Sequence, residues 1–159
     1  MMKSKLGLPT KLLLGFVFVV WGLLIAFSPR VYNIVGQSMS PNLHNGDVMF
    51  SVGRCYDINR FDIITFQMGD KCLVKRVIGL PGERVQYQNG MLRIDGFEIE
   101  QPFIALGKLS VDYEVNVQLG WDEYFVMGDN RPGSYDSRSF GPIKESQVSA
   151  KILFKVKGE

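Results

Sequence analysis

Side chains that bind transition metals are scarce in this chain. Its 159 residues include one histidine and two cysteines, which are His44, Cys55 and Cys72. A zinc site in a protein is built from three or four ligands, mostly histidine and cysteine, and these residues do not assemble a site of an ordinary type. We therefore expect no metal ion, and no other cofactor is indicated.

A stripe of basic residues is also missing. The 18 lysines and arginines are interleaved with 16 aspartates and glutamates, which leaves a formal net charge of +2. Proteins that bind nucleic acids usually concentrate positive charge on one face, so we expect no nucleic-acid partner. The sequence also lacks repeats, heptads and low-complexity segments. Its length suits one domain with at most an anchor.

One segment lacks charge altogether. From Leu12 to Phe27 no side chain is charged or polar, and with its flanks this run reaches the length of about 17–25 residues that a spanning helix needs. Only Arg30 follows the run closely, whereas three lysines precede it, namely Lys3, Lys5 and Lys11. Because positive charge favours the cytoplasmic side, we predict a cytoplasmic segment 1–11, a transmembrane anchor 12–28 and an extracytoplasmic domain 29–159. The protein would then be a single-pass protein of the plasma (inner) membrane, in contact with the lipid bilayer.

Two other interpretations fit this segment less well. A cleaved secretory signal has the same basic start and apolar core, and Ala26-Phe27-Ser28 offers small residues at a cleavage site. Pro29 would follow the scissile bond, where its ring removes the amide hydrogen, and this favours retention as an anchor. A buried core helix is disfavoured because the segment has no polar face.

The two cysteines, Cys55 and Cys72, would both lie on the extracytoplasmic side. Disulfide bonds persist in that oxidising environment. The sequence does not establish that the two Cα atoms come within bridging distance, so the disulfide remains open.

The rest of the chain has the pattern of strands and turns. Val48–Val52 and Phe61–Phe66 are short apolar runs bounded by turn residues. Near the C-terminus apolar and polar residues alternate, which predicts a half-buried strand. The inner face of that strand would carry Val148, Ala150, Ile152, Phe154 and Val156.

A hairpin is predicted between residues 85–88 and 91–94, because Asn89-Gly90 supplies the positive φ values that a two-residue turn needs. Asp95-Gly96 follows at once and predicts a second reversal into residues 97–99. Residues 98–120 carry few such signals. We therefore predict a mainly β domain, made of two packed antiparallel sheets or a distorted barrel.

Ser38 lies on a predicted tight turn between Gly36 and Asp47. Most serines in turns have no chemical role, and Ser40-Pro41 by itself favours a type I turn. A serine hydroxyl is a poor nucleophile at neutral pH and needs an adjacent base. The chemistry of this turn therefore depends on which base accompanies it.

Lys75 is one candidate base, since apolar residues surround it in the sequence. An exposed lysine at the edge of a strand would give the same pattern. If the side chain is buried, the loss of hydration lowers its pKa from about 10.4, and reaching about 7–8 requires about 4 kcal/mol. His44, on the same turn as Ser38, is the alternative base and needs no such shift. Position alone leaves both bases open.

Four blocks stand in order along the chain: Ser38-Met39-x-Pro41 with Gly46-Asp47; Arg60-x-Asp62-Ile63; Lys75-Arg76-x-Ile78-Gly79-x-Pro81-Gly82; and Gly128-Asp129-Asn130-Arg131 with Ser134-x-Asp136-Ser137-Arg138-x-Phe140-Gly141. Together they resemble the type I signal peptidases (leader peptidases) of the bacterial type. These are membrane-anchored proteases with a serine–lysine dyad that remove signal peptides. Each block is weak alone, but all four in register are specific.

The resemblance implies a role for each matching residue. Ser38 would be the nucleophile that forms the acyl-enzyme, Lys75 its general base, and Ser134 the hydroxyl that hydrogen-bonds and orients the lysine. The remaining matches are supporting residues: Asp136 and Arg138 as an ion pair behind the site, Arg76 nearby, and Asp129 and Asn130 in the loop that supports the site. His44 falls where the family pattern is open, which favours Lys75 as the base.

The resemblance leaves the oxyanion hole incomplete. The backbone N–H of Ser38 would be one donor, and some members of the family add a hydroxyl from the residue two positions earlier. Here that residue is Gly36, which has no hydroxyl, so the second donor would be another group such as a backbone amide, with Gly36 as an open candidate. The accessory β-domain of larger members would be reduced to an insertion at about residues 84–120.

The implied activity is cleavage of exported preproteins after an Ala-x-Ala-like sequence, with signal peptides as the binding partners. Shallow pockets would select small side chains, since a methyl group fits and a larger group clashes. One alternative is a peptidase of the same family with a narrow substrate, such as one for conjugation or pilin maturation. A second is a membrane-tethered β-module that binds exported proteins without cutting, which the presence of both Ser38 and Lys75 disfavours.

Overall fold

The protein is described from a computed structural model. The structure describes residues 8–26, 30–52, 57–104 and 113–157, with side chains for all of these except 8, 9, 23–26 and 52. The described strands are β1 (Arg30–Asn33), β2 (Val48–Val52), β3 (Ile63–Met68), β4 (Lys71–Gly79), β5 (Arg84–Gln88), β6 (Met91–Ile94), β7 (Phe97–Glu98), β8 (Val115–Gln118), β9 (Glu123–Met127), β10 (Ile143–Lys144) and β11 (Val148–Val156). The described helices are α1 (Leu8–Ala26) and the short α2 (Ser137–Phe140), with 3₁₀ turns at Arg131–Gly133 and Glu145–Gln147.

The predicted pair of antiparallel sheets is confirmed. The larger sheet has the order β1-β2-β11-β3-β4-β9-β10, and the smaller has the order β7-β6-β5-β8. Every strand pairing among the described residues is antiparallel. The smaller sheet is formed by residues within the segment 84–120, including β8 in the part of the sequence that carried few signals.

Helix α1 contains the uncharged run as far as Ala26. Its described side chains, residues 10–22, are all exposed, and Phe16 and Phe18 are each 67% exposed. Among the described residues, no helix has both the length and the apolarity to cross a membrane. The structure thus gives the expected transmembrane helix no support, and the anchor stays a prediction.

Both predicted turns of the smaller sheet are confirmed. Asn89 and Gly90 have φ values of 51° and 79° and join β5 to β6, where Gln88 pairs with Met91. Asp95 and Gly96 have φ values of 51° and 86° and lead into β7. Backbone conformation at these positions follows directly from residue type, because asparagine, aspartate and glycine tolerate positive φ.

The predicted inner face of the last strand is correct only for its first half. Val148 and Ala150 are buried, but Phe154 and Val156 are 56% and 51% exposed. The strand pairing shifts register between Ile152 and Phe154, which breaks the alternation of faces on which the prediction rested. Phe154 instead stacks on Phe50 of β2, with ring centroids 4.9 Å apart.

The two sheets share an apolar core at the end of β4. Its buried members come from both sheets and include Ile78, Val85, Tyr87, Leu92, Phe125 and Met127. Gly79 permits this close approach, because a methyl group at that position would overlap Val85 and Leu119. The small sheet is thereby fixed against the strand that carries Lys75.

A separate cluster packs the turn that follows β1 onto the large sheet. It contains Ile34, Met39, Leu43 and Met49, all at most 5% exposed. Val74 of β4 packs against the same cluster. Burial of these side chains holds the segment around Ser38 over β4. Whether Cys55 and Cys72 form a disulfide is not tested, because Cys55 lies outside the described residues, while Cys72 is exposed on β4.

Candidate active site

Ser38 lies on a turn that two anchors hold in place. Met39 and Leu43, which both follow Ser38 within the turn, insert into the apolar cluster, and the backbone N–H of Leu43 donates to the Met39 carbonyl at 2.8 Å. At the base of the turn the N–H of Ile34 donates to the Asp47 carbonyl at 2.9 Å. The Ser38 hydroxyl therefore projects from a fixed backbone.

Lys75 reaches Ser38 from the neighbouring strand β4. Its side chain is 4% exposed, and Nζ lies 2.8 Å from Ser38 Oγ and 2.9 Å from the carbonyl oxygen of Val74. Burial lowers the pKa of the Lys75 amine, although the carboxylates of Asp136 and Asp129 oppose that shift. A neutral amine at this distance can take the proton of the serine hydroxyl.

His44 lies on the same turn but faces elsewhere. Its side chain is 58% exposed, and its Nδ1 lies 4.0 Å from Asp47 Oδ2. Among the described residues, Lys75 alone hydrogen-bonds the Ser38 hydroxyl. Of the two bases that the sequence left open, the structure brings Lys75 to the serine.

The segment after β9 supports the serine turn directly. The backbone N–H of Asn130 donates to the Ser38 carbonyl at 3.0 Å, and its side-chain amide donates to the Gln37 carbonyl at 3.2 Å. Gly128 is necessary for this contact, because a methyl group there would overlap both the Ser38 carbonyl oxygen and Ser134 Oγ. Asn130 thus lies in the supporting loop, as expected.

Asp136 and Arg138 form a buried ion pair. Arg138 Nε and Nη2 each lie 2.8 Å from the carboxylate oxygens of Asp136, and neither side chain is exposed. The N–H of Gly128 also donates to Asp136 at 2.9 Å, while Arg138 Nη2 donates to the Arg131 carbonyl at 2.7 Å. These bonds fix the loop that carries Ser134.

Arg76 forms a second ion pair, with Asp129 rather than with Asp136. Its Nε and Nη2 lie 2.8 and 2.6 Å from the two carboxylate oxygens, and Asp129 is fully buried. Asn42 Nδ2 donates to the same carboxylate at 3.0 Å. Each carboxylate near the lysine therefore has its own arginine.

The expected hydrogen bond between Ser134 and Lys75 is not formed. Ser134 is 8% exposed, and its Oγ is buried without a hydrogen-bond partner among the described residues. Nζ donates instead to Ser38 and to its own strand. Ser134 remains next to the site, since its Oγ lies against Gly128, which also borders Ser38.

The two candidate oxyanion donors differ in availability. In the described part of the chain the backbone N–H of Ser38 is paired with no acceptor. The N–H of Gly36, by contrast, donates to Asn45 Oδ1 at 3.0 Å, so Gly36 offers no free donor in this conformation. A cleft of about 180 Å³ adjoins the serine and is lined largely by apolar residues, among them Ile34, Val35, Met39, Leu73 and Val74.

Two residues of this region were missed as candidates in the sequence. Arg131 lies inside one of the four blocks but was not named as a candidate. It is 1% exposed, and burial lowers the pKa of its guanidinium group. Asn42 lies inside the turn of Ser38, but nothing in the sequence indicates its contact with Asp129. The described residues contain no cluster of three or more histidine, cysteine, aspartate or glutamate side chains that would hold a metal ion.

Comparison with known proteins agrees with this geometry. Residues 8–157 match the family described as signal peptidase, peptidase S26. The chain is 37% identical over 140 residues to signal peptidase I of Bacillus caldolyticus, covering 78% of this chain and 77% of that protein. It is 38% identical over 134 residues to signal peptidase I V of Bacillus subtilis (strain 168), covering 74% and 79%.

A solved structure is also similar. The crystal structure of a signal peptidase I from Enterococcus faecalis V583 matches with a TM-score of 0.55 and 34% identity, covering 62% of this chain and 98% of that one. The family model spans nearly the whole chain, and the relatives cover more than two thirds of it. The chain therefore belongs to the signal peptidase family, peptidase S26.

Proposed function

We propose that this signal peptidase is a membrane-bound endopeptidase in which Ser38 is the nucleophile and Lys75 the general base. Cleavage of signal peptides is the activity of its family. The observation that carries the assignment of the dyad is the distance of 2.8 Å between Lys75 Nζ and Ser38 Oγ, in a setting where burial favours the neutral amine.

In the first half of the reaction the Lys75 amine takes the hydroxyl proton while Ser38 Oγ bonds to the carbonyl carbon of the substrate. The carbonyl oxygen becomes an oxyanion, which the N–H of Ser38 stabilises. The Lys75 ammonium then gives its proton to the leaving amine as the C–N bond breaks. In the second half Lys75 takes a proton from water while the water oxygen bonds to the acyl carbon. The Lys75 ammonium then returns this proton to Ser38 Oγ as the bond between the acyl group and the serine breaks.

The hydrogen-bonding capacity of a neutral lysine supports the role proposed for Ser134. A neutral amine has one lone pair, which Ser38 requires, and two N–H groups. One N–H is taken by the Val74 carbonyl, and the other has no assigned acceptor once the lone pair faces the serine. The buried, unpartnered Oγ of Ser134 is the acceptor that we propose for it during catalysis, which would fix the direction of the lone pair.

The two ion pairs support the low basicity that the mechanism requires. A carboxylate close to Lys75 stabilises the ammonium and so raises the lysine pKa. Arg138 and Arg76 engage Asp136 and Asp129 through two hydrogen bonds each. The carboxylates are therefore oriented toward guanidinium groups rather than toward the amine.

The small cleft supports specificity for short side chains. At about 180 Å³ it is smaller than the pockets of roughly 300–1,000 Å³ that hold larger ligands. Its apolar walls, including Ile34 and Leu73, favour a methyl group over a polar or bulky side chain. We propose cleavage after alanine-like residues on this basis.

Membrane attachment is proposed for residues 12–28, with the N-terminus in the cytoplasm and the catalytic domain outside. The uncharged run from Leu12 to Phe27 and the three lysines that precede it support this topology, since positive charge favours the cytoplasmic side. Signal peptides emerge at the membrane surface, so an anchor would bring enzyme and substrate together.

Replacement of either member of the dyad should abolish cleavage. We expect Ser38→Ala and Lys75→Ala each to lower kcat by about 10⁴-fold or more, since each removes a group that the chemistry requires, whereas His44→Ala should keep most of the activity. The assay incubates the detergent-solubilised protein with a preprotein and sequences the new N-terminus. An active Lys75→Ala enzyme with a dead His44→Ala enzyme would reverse the assignment.

Failure on generic preproteins but cleavage of one native substrate would indicate a narrow-substrate peptidase.

Ser134→Ala should impair the chemical step more than folding. Loss of the acceptor that orients the lysine should lower kcat by roughly 10²–10⁴, the usual contribution of an acid–base group, with little change in the denaturation midpoint. Steady-state kinetics and thermal unfolding measure the two effects. A fully active variant would remove Ser134 from the mechanism.

Arg138→Ala should act on both stability and pH dependence. It leaves the buried Asp136 carboxylate without its partner, which should lower the free energy of unfolding by about 3–5 kcal/mol. The freed carboxylate should also raise the pKa of Lys75, so the acidic limb of kcat/KM should move to higher pH. Lys144→Ala, which removes an exposed pair with Asp122, is the control and should change neither. An unshifted limb in a folded Arg138→Ala enzyme would contradict the electrostatic role.

The N-terminus of the protein extracted from membranes should be the original one. Retention is expected because Pro29 disfavours cleavage of the preceding bond, and mass analysis of the extracted protein measures it. A mature chain that begins at Pro29 would refute the anchor. Removal of residues 1–28 should leave a folded enzyme that processes preproteins less efficiently.

A further inference from the structure

The side chain of Asn42 links the turn of Ser38 to the second ion pair. Its Nδ2 donates to Asp129 Oδ2 at 3.0 Å and to the carbonyl oxygen of Phe103 at 2.6 Å. Both acceptors lie far from Asn42 in the sequence, so this one amide joins three segments of the chain. None of these contacts belongs to the dyad itself.

The Asp129 carboxylate, which accepts one of these two bonds, is the point where the elements of the site meet. Asp129 is fully buried and receives two hydrogen bonds from Arg76, the residue directly after Lys75 on β4. The next residue, Asn130, donates its N–H to the Ser38 carbonyl. The Asp129 carboxylate therefore contacts the strand of the base and, through Asn42, the turn of the nucleophile.

We propose that Asn42 is a positioning residue for the reaction, and that it sets the approach of Ser38 to Lys75 by docking the nucleophile turn onto the Asp129–Arg76 pair. The proposal rests on the proposed function of the dyad. Asn130 holds the turn at Ser38 itself, whereas Asn42 holds it on the far side of the buried Met39. Two separated attachments prevent rotation of the turn, which a single one does not.

The chemistry of the contact requires a donor at position 42. A buried carboxylate is stabilised by each hydrogen bond that it accepts, and loss of one such bond to a charged group typically costs more than loss of a neutral one. Asparagine supplies two N–H groups, and both are used here, on Asp129 and on Phe103. Aspartate has nearly the same shape but only acceptors, so it would place a second carboxylate against Asp129.

The contact also bears on the charge state of the base. The charged groups around Lys75 are the carboxylates Asp129 and Asp136, with three buried or nearly buried guanidinium groups behind them, those of Arg76, Arg131 and Arg138. The Asp129 carboxylate raises the pKa of Lys75. With fewer donors on that carboxylate, more of its charge acts on the amine, so the lysine would hold its proton to higher pH.

The test compares Asn42→Ala and Asn42→Asp with wild type in the full-length, detergent-solubilised enzyme. Asn116→Ala is the matched control, because Asn116 also hydrogen-bonds a charged side chain, Arg84, at 2.9 Å, but on β8 away from the cleft. A misplacement of about 1 Å can cost 10²-fold in rate. We expect Asn42→Ala to lower kcat by about 10- to 100-fold with KM within twofold, and Asn42→Asp to lower it further.

In both variants the acidic limb of kcat/KM should move to higher pH, and the limb should stay in place in Asn116→Ala. Lys75 is also titrated directly by NMR of ¹³C-labelled lysine, with its signal assigned by its loss in Lys75→Ala. That measurement needs no substrate. If wild type cleaves no preprotein, the proposed function fails, while an upward shift of the Lys75 titration in the Asn42 variants still supports the link.

Two results would overturn the proposal. One is a kcat for Asn42→Asp within twofold of wild type, since that variant keeps the shape and removes the donor. The other is an unshifted Lys75 titration in folded Asn42→Ala and Asn42→Asp, because a purely structural role would lower stability without moving that value.

Discussion

The buried amine of Lys75 is the constraint on which the rest of the site depends. At 4% exposure the charged form of the lysine is destabilised by the loss of hydration. The resulting fall in its pKa makes the lysine useful as a base. The same burial must still leave room for the Ser38 hydroxyl at 2.8 Å. The strand and the turn that carry these two residues therefore have to meet closely.

The large sheet provides that meeting. Strand β4 pairs with β3 along most of its length and with β9 near its end, so Lys75 projects from a strand that neighbouring strands hold firmly. The turn of Ser38 is packed over it by Met39 and Leu43. Gly128, at the end of β9, then allows the supporting loop to touch the serine backbone without a steric clash.

Burial of an amine beside carboxylates creates an electrostatic conflict, and the ion pairs resolve it. Asp129 and Asp136 are both fully buried and both raise the pKa of Lys75. A fully buried carboxylate requires hydrogen bonds and a counter-charge. One arginine for each carboxylate meets that requirement while directing the negative charge away from the base, so stability of the loop and basicity of the lysine depend on the same contacts.

Local conformation was determined by the sequence itself. Asn89-Gly90 and Asp95-Gly96 fold into the predicted turns, because positive φ depends on residue type and on nothing distant. The apolar neighbours of Lys75 fitted a buried amine and an exposed lysine at a strand edge equally well, and the fold buries it at 4% exposure. The four blocks, compared as a set, indicated the family and implied the roles of Ser38 and Lys75.

Tertiary structure alone decided which side chains face each other. The resemblance implied the pair of Asp136 with Arg138 but gave Arg76 no partner, and the fold pairs Arg76 with Asp129. The contact of Asn42 with Asp129 joins segments distant in the sequence, and the exposure of Phe154 follows from a shift in strand register. Such contacts depend on how strands pair and how turns dock, and these are set by the packing of the whole core rather than by any local pattern.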